Sequence, residues 1–99
     1  MDRYLGLLHL RENVYRAEAD FWRASKAYFV ELENEELCQK AYQSGENYAA
    51  ALIEIQAYLN NVPPDIEIEK ELNLMRRFST ILKREMELIN RAYQDNYGT

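Results

Sequence analysis

Large apolar side chains recur every seven residues through the first third of the chain, in two adjacent columns. One is Leu7, Val14, Phe21 and Tyr28; the other, one residue on, is Leu8, Tyr15, Trp22 and Phe29. A helix turns about 100° per residue, so seven residues make nearly two turns and each column keeps to one side. Leu10, Ala17 and Ala24 form a third column beside the first. Together they cover an arc of roughly 200°, twice the ~100° stripe of an ordinary surface helix. A helix of this kind needs cover on two sides.

The pattern predicts this first helix over about residues 3–33, with Asp2 as a cap that also places negative charge at the positive end of the dipole. The columns fade at Glu31, Glu35 and Glu36. Asn34, two glutamates and Leu37 read as a new N-cap with an acidic first turn, so a break is expected near 33–36. The competing reading runs the first helix on to about residue 44, because Cys38 and Tyr42 continue the earlier spacing.

A second helix is predicted over about 35–60 on the stripe Leu37, Ala41, Tyr48, Leu52, Ile55 and Leu59. Gly45 interrupts that stripe and marks either a kink or a new start capped by Ser44. The run Ala49–Ala51 permits close approach of a neighbouring backbone. Asn60, Asn61, Val62, Pro63 and Pro64 then stop the helix: asparagine tolerates the left-handed conformation, and Pro64 pushes Pro63 out of the α region.

Asp65 is expected to cap a third helix over about 66–96, with Glu67, Glu69 and Glu71 near its positive end and Gly98 as terminator. Ile66–Glu69 alternates like a strand for four residues. The rest of the segment is plainly helical, with a seam of alternating four- and three-residue steps: Ile68, Leu72, Met75, Ser79, Leu82, Met86, Ile89 and Tyr93. Leu74, Ile81 and Leu88, with Phe78 between them, widen it to about 200° again. Three helices with short connections make a single all-α domain over residues 1–99, an antiparallel up-down-up bundle. Helices one and three carry more apolar surface than three slender helices can cover. The expectation is a homodimer that completes the core, or a face kept for a different protein. The interface residues predicted are Tyr15, Trp22, Phe29, Leu74, Phe78, Ile81 and Leu88.

Composition narrows the function classes. No run approaches the ~18 apolar residues of a membrane span, and Met1–Glu12 is too short and too interrupted by His9 and Arg11 for a signal peptide. The chain therefore reads as soluble and cytoplasmic, with no membrane partner. Cys38 is the only cysteine, which excludes an intrachain disulfide framework and a thiolate zinc site.

No Gly-rich phosphate loop or activated nucleophile is present. His9 and Glu12 lie one helical turn apart, but the order is the reverse of the Glu-x-x-His of di-iron bundles, and there is only one histidine. The glutamates at 31, 33, 35 and 36 read as a solvated face at a helix junction. No catalytic residue, metal ligand or cofactor is expected, and the chain does not read as an enzyme.

The formal charge is −5, unevenly spread: +1 over residues 1–30, −8 over 31–69 and +2 over 70–99. On helix three, Arg76, Arg77, Lys83, Arg84 and Arg91 share the side away from the seam, and Lys70, Arg77, Arg84 and Arg91 form a seven-spaced row. A stripe of this kind could neutralise phosphates, which makes nucleic-acid binding the competing function. Interspersed glutamates, the acidic balance and the lack of a reading motif weigh against it. Eight tyrosines fall mostly on or beside the apolar stripes, where they serve as core-edge packing or as interface.

The chain is rich in Tyr, has far more Glu than Asp and more Arg than Lys, one Cys, few Gly and three long predicted helices. In this overall texture it resembles the small helical proteins of filamentous viruses that infect hot-acid archaea. The resemblance implies a viral accessory or interaction protein, acting in the host cytoplasm or the virion. No residue role carries over from it. The Trp-x-Gly turn of small secreted helical hairpins is absent, since Trp22 is followed by Arg23 and Ala24.

Overall fold

A computed structural model describes the backbone of residues 2–97 and the side chains of residues 5–96. It is a bundle of three helices: α1 (Asp2–Val30), α2 (Glu35–Asn60) and α3 (Ile66–Tyr97). The bundle is a rod of 52 × 18 × 16 Å, and short connections make it run up, down and up, so α1 and α3 are parallel. Asp2 is itself the first helical residue; the capping expected of its side chain, and Gly98 as terminator, lie outside the described residues.

The break after α1 occurs earlier than the apolar columns suggest. Val30 is the last helical residue and lies exposed. The Glu31 N–H bonds the Tyr28 carbonyl at 2.9 Å, and the Asn34 N–H bonds that of Glu31 at 2.9 Å, a tight turn in place of a further helical turn. Asn34, in extended conformation, then caps α2 by accepting from the Leu37 N–H at 3.2 Å. The reading in which the first helix continues to about residue 44 is thereby excluded.

Asp65 plays the same part for α3, accepting from the Ile68 N–H at 2.8 Å, so the strand-like Ile66–Glu69 is helical. Asn61 ends α2 without the left-handed conformation expected of it; φ is −105°, and its N–H bonds the Tyr58 carbonyl at 3.1 Å. Asn34→Ala and Asp65→Ala are each expected to cost about 1 kcal/mol, measured as a lower urea midpoint with unchanged slope.

α2 passes unbroken through Gly45, and Ser44 is no cap; its hydroxyl donates to the Ala41 carbonyl at 3.0 Å within the helix. Gly45 is buried for a packing reason. A Cβ there would run into the Met86 thioether and come within 3.2 Å of the Phe21 ring. Gly6 likewise gives way to the Tyr58 ring, whose hydroxyl lies 3.1 Å from where a Cβ would sit.

The core takes one column from each helix. Leu7, Val14, Phe21 and Tyr28 of α1 meet Cys38, Ala41, Tyr48, Leu52, Ile55 and Leu59 of α2 and Ile68, Met75, Leu82 and Ile89 of α3. α2 packs closely on both neighbours, whereas the α1 and α3 backbones stand further apart and meet through long side chains. Polar groups at the seams are satisfied across helices. Gln56 Nε2 donates to Ser79 Oγ at 3.0 Å, and the Tyr42 hydroxyl donates to Asn90 Oδ1 at 2.7 Å.

Several core groups are held in their protonated form. Burial pushes the Tyr48 hydroxyl well above its usual range, and the nearby Glu18 carboxylate adds to the effect. Burial also raises Tyr42 and the Cys38 thiol, the latter against an opposing hydrogen bond from Tyr28. Above about pH 9 the unfolded chain releases these protons first, so stability falls with rising pH by about 1.4 kcal/mol per unit for each proton in play. Denaturant titrations between about pH 8 and 11 are expected to show that loss, with a shallower slope for Tyr48→Phe.

Candidate interaction face

The second apolar column of α1 does not enter the core. Tyr15, Trp22 and Phe29 are 43%, 37% and 40% exposed, and Leu8, above them, is 56% exposed. The column stands about 100° around the helix from Leu7–Tyr28, on the side turned away from α2. On α3, Ile81 and Leu88 are 43% and 41% exposed, and Leu74 and Phe78 are half-buried. These α3 side chains lie on the flank nearest α1, because Phe78 meets Tyr15 edge-on at 6.4 Å between ring centroids.

The seven predicted interface residues therefore come together, with Leu8, as one strip along the open groove between two parallel helices. None of them is in the fully buried core, and their inner neighbours anchor them. Trp22 rests on Phe21 at 5.2 Å and Phe29 on Tyr28 at 5.6 Å. The strip runs for three heptads, about 31 Å.

An ion pair braces the groove at one end. Arg11 donates through Nε and Nη2 to the two carboxylate oxygens of Glu71, both at 3.0 Å, in a two-pronged bond from α1 to α3. Sequence reading missed this pair; both residues stand one row beside the apolar columns, which was its only signal. Arg11→Met is expected to cost about 1 kcal/mol at low salt, less than a buried pair because the Arg11 side chain is one-third exposed, and less again in about 1 M salt. A double-mutant cycle with Glu71→Gln isolates the coupling.

The five basic residues predicted as a nucleic-acid face, Arg76, Arg77, Lys83, Arg84 and Arg91, are all exposed on α3. Arg76 reaches Asn73 Oδ1 at 3.5 Å, and none of the five makes an ion pair with another described residue. Elsewhere the cations are mostly engaged: Arg16 with Glu12 at 2.7 Å, Arg23 with Asp20 at 3.1 Å, Lys40 with Glu36 at 3.7 Å and Lys70 with Glu67 at 3.8 Å. The Arg77, Arg84 and Arg91 row lies next to the Leu74, Ile81 and Leu88 row, so this charge borders the apolar strip.

Two concavities are also present, the first reaching Phe29 at the end of the strip. An open cleft of about 870 Å³ at the α1–α2 turn is lined by Phe29, Leu32 and the carboxylates of Glu31, Glu33 and Glu35. Tyr93 reaches into the same end of the bundle, its hydroxyl donating to Glu35 at 3.4 Å. A smaller groove of about 410 Å³ between α2 and α3 is apolar, with Gly45, Ala49, Leu52, Ile53, Leu82 and Met86 along it. His9 is exposed near the start of α1. Among the described residues no group of three or more His, Cys, Asp or Glu side chains gathers as a metal site, and no helix is long and apolar enough to cross a membrane. The chain matches no family model, no curated protein and no solved structure.

Proposed function

We propose that this is a non-enzymatic interaction protein that self-associates through the α1/α3 face. The carrying observation is the exposed column Tyr15, Trp22 and Phe29, set beside Ile81 and Leu88 on a parallel helix. Exposed large aromatics in a contiguous row are the composition of interface centres, where Trp and Tyr supply much of the binding energy. A strip about 31 Å long on a rod 16–18 Å wide amounts to on the order of 500 Å². With its rim it approaches the ~800 Å² that each partner buries in a stable complex.

A second copy is the occupant that supplies an identical face at equal concentration, and closure by a dyad covers both strips at once. The role is scaffolding or assembly, with no cofactor, in the cytoplasm or in a particle as the viral resemblance implies. Absolute mass by light scattering on a sizing column tests the reading, with a dimer expected at both low and high salt.

The competing reading has the Arg76–Arg91 face on nucleic acid. It is favoured by the lack of ion pairs from these side chains to other described residues and opposed by the acidic balance of the chain. Retention on immobilised DNA or RNA at low salt, abolished by Arg77→Glu with Arg84→Glu, would support it.

A further inference from the structure

We infer, resting on the self-association reading above, that the second copy lies parallel to the first, with its α1 over α3 and its α3 over α1. Two dyads can bring the α1/α3 face onto itself. A dyad running across the helices stacks α1 on α1 and α3 on α3, antiparallel. A dyad running along the helices places α1 of each copy on α3 of the other, and all four helices then point the same way.

Charge separates the two arrangements. Lys70, Arg77, Arg84 and Arg91 stand about 40° around α3 from Leu74, Ile81 and Leu88, so they form the rim of the strip. The antiparallel arrangement lays that rim against its own copy, and Arg77, Arg84 and Arg91 have no ion pair with another described residue to absorb the charge. Like charges set face to face oppose association. The parallel arrangement instead lays the rim against the row beyond Leu8–Phe29 of the partner's α1, which is Glu12, Ala19 and Lys26.

Arg11 grips Glu71 and Tyr15 meets Phe78, so a residue of α1 lies level with one 60 to 63 places later in α3. Glu12 of the partner then comes between Lys70 and Arg77. Ala19 of the partner comes between Arg77 and Arg84 and leaves room for their long side chains. Lys26 of the partner, between Arg84 and Arg91, is the one like-charged residue in that row. Shape points the same way. Parallel stacking sets the bulky Tyr15, Trp22 and Phe29 column against the slimmer Leu74, Ile81 and Leu88 column. Antiparallel stacking sets large on large and small on small, which fills space less well.

The test uses cysteines midway along the rim of the strip, with a short bismaleimide as cross-linker and the buried Cys38 left in place. The variants are Ala19→Cys, Arg84→Cys and the two combined. Cross-linking to a covalent dimer in the combined variant alone, with neither single variant linked, is the expected result. Linking of either single variant overturns the parallel arrangement, since each residue then faces its own copy. Absence of linking in all three, in material that light scattering shows to be dimeric, also overturns it. A monomer by light scattering at the cross-linking concentration overturns the self-association reading itself, so the two failures are distinguishable.

Discussion

Phe21→Ala is expected to lower the stability of the fold by about 3–5 kcal/mol, the range for removing a fully buried aromatic ring. Phe21 has no exposed surface. Its ring lies 6.0 Å from that of Tyr48, and its edge fills the space that Gly45 leaves by lacking a side chain. The site has little means of collapsing, because α2 is already in close contact and Trp22 is held by the turn of the helix. A domain of this size is stable by roughly 5–15 kcal/mol, so about a fifth of the margin at the least goes with one ring. A urea titration checks it: the midpoint falls, the slope stays, and the folded fraction keeps its association state.

One residue further on, the expected result is of another kind. Trp22→Ala with Phe29→Ala is expected to weaken self-association by at least about a hundredfold and by up to about a thousandfold, at about 2 kcal/mol or somewhat less for each interface ring. The rings are 37% and 40% exposed and touch their own fold through Phe21 and Tyr28. Some loss of monomer stability therefore accompanies the change, smaller than that of Phe21→Ala. Mass and stability must be read together. Loss of mass with a small loss of stability is the signature of an interface; unchanged mass with a large loss of stability would make the two rings part of the intramolecular packing. The contrast between Phe21 and Trp22 is informative because both are large aromatics adjacent in sequence, and only their bearing on the helix separates them.

That bearing is also where sequence reading reached its limit. The seven-residue spacing made three long helices legible. The Asn34 and Asp65 caps and the Pro63–Pro64 stop placed the start of α2, the end of α2 and the start of α3 at the residues where they occur. The end of α1 was less legible. Leu32 prolongs the apolar pattern past Val30, and nothing local announces that the Tyr28 carbonyl accepts a turn bond from Glu31.

Gly45 reads as an interruption because glycine is a poor helix former, and its use as a space for Met86 and Phe21 depends on residues 41 positions later and 24 earlier. The two α1 columns are equally apolar; the sequence reading assigned Tyr15, Trp22 and Phe29 to the interface, and that column is the part-exposed one. The choice falls to the directions of α2 and α3, which are set by packing across the whole bundle. For the candidate interaction face, the surplus of apolar arc was legible, and the seven residues expected to carry it lie outside the fully buried core. Leu8 belongs to the same strip, and the Arg11–Glu71 fork that braces it was visible only once α1 and α3 lay side by side.

The α3 arginines illustrate how a feature changes meaning with its neighbours. Along the sequence they suggest a phosphate-binding stripe in an acidic chain. In the bundle, Arg77, Arg84 and Arg91 border an apolar strip, and under the proposed pairing their repulsion from their own copies would select how two copies stack. On that account, neutralising them relaxes orientation and leaves affinity largely intact, whereas removing the aromatic rings lowers affinity steeply.

Absolute mass is the most direct test of the central claim. Light scattering or sedimentation equilibrium on the unmodified chain, over a concentration series at low and at high salt, is expected to give twice the 11.8 kDa chain mass. A value of 11.8 kDa at every concentration would contradict the account, since the Tyr15, Trp22 and Phe29 column would then stand in water without a second copy to cover it.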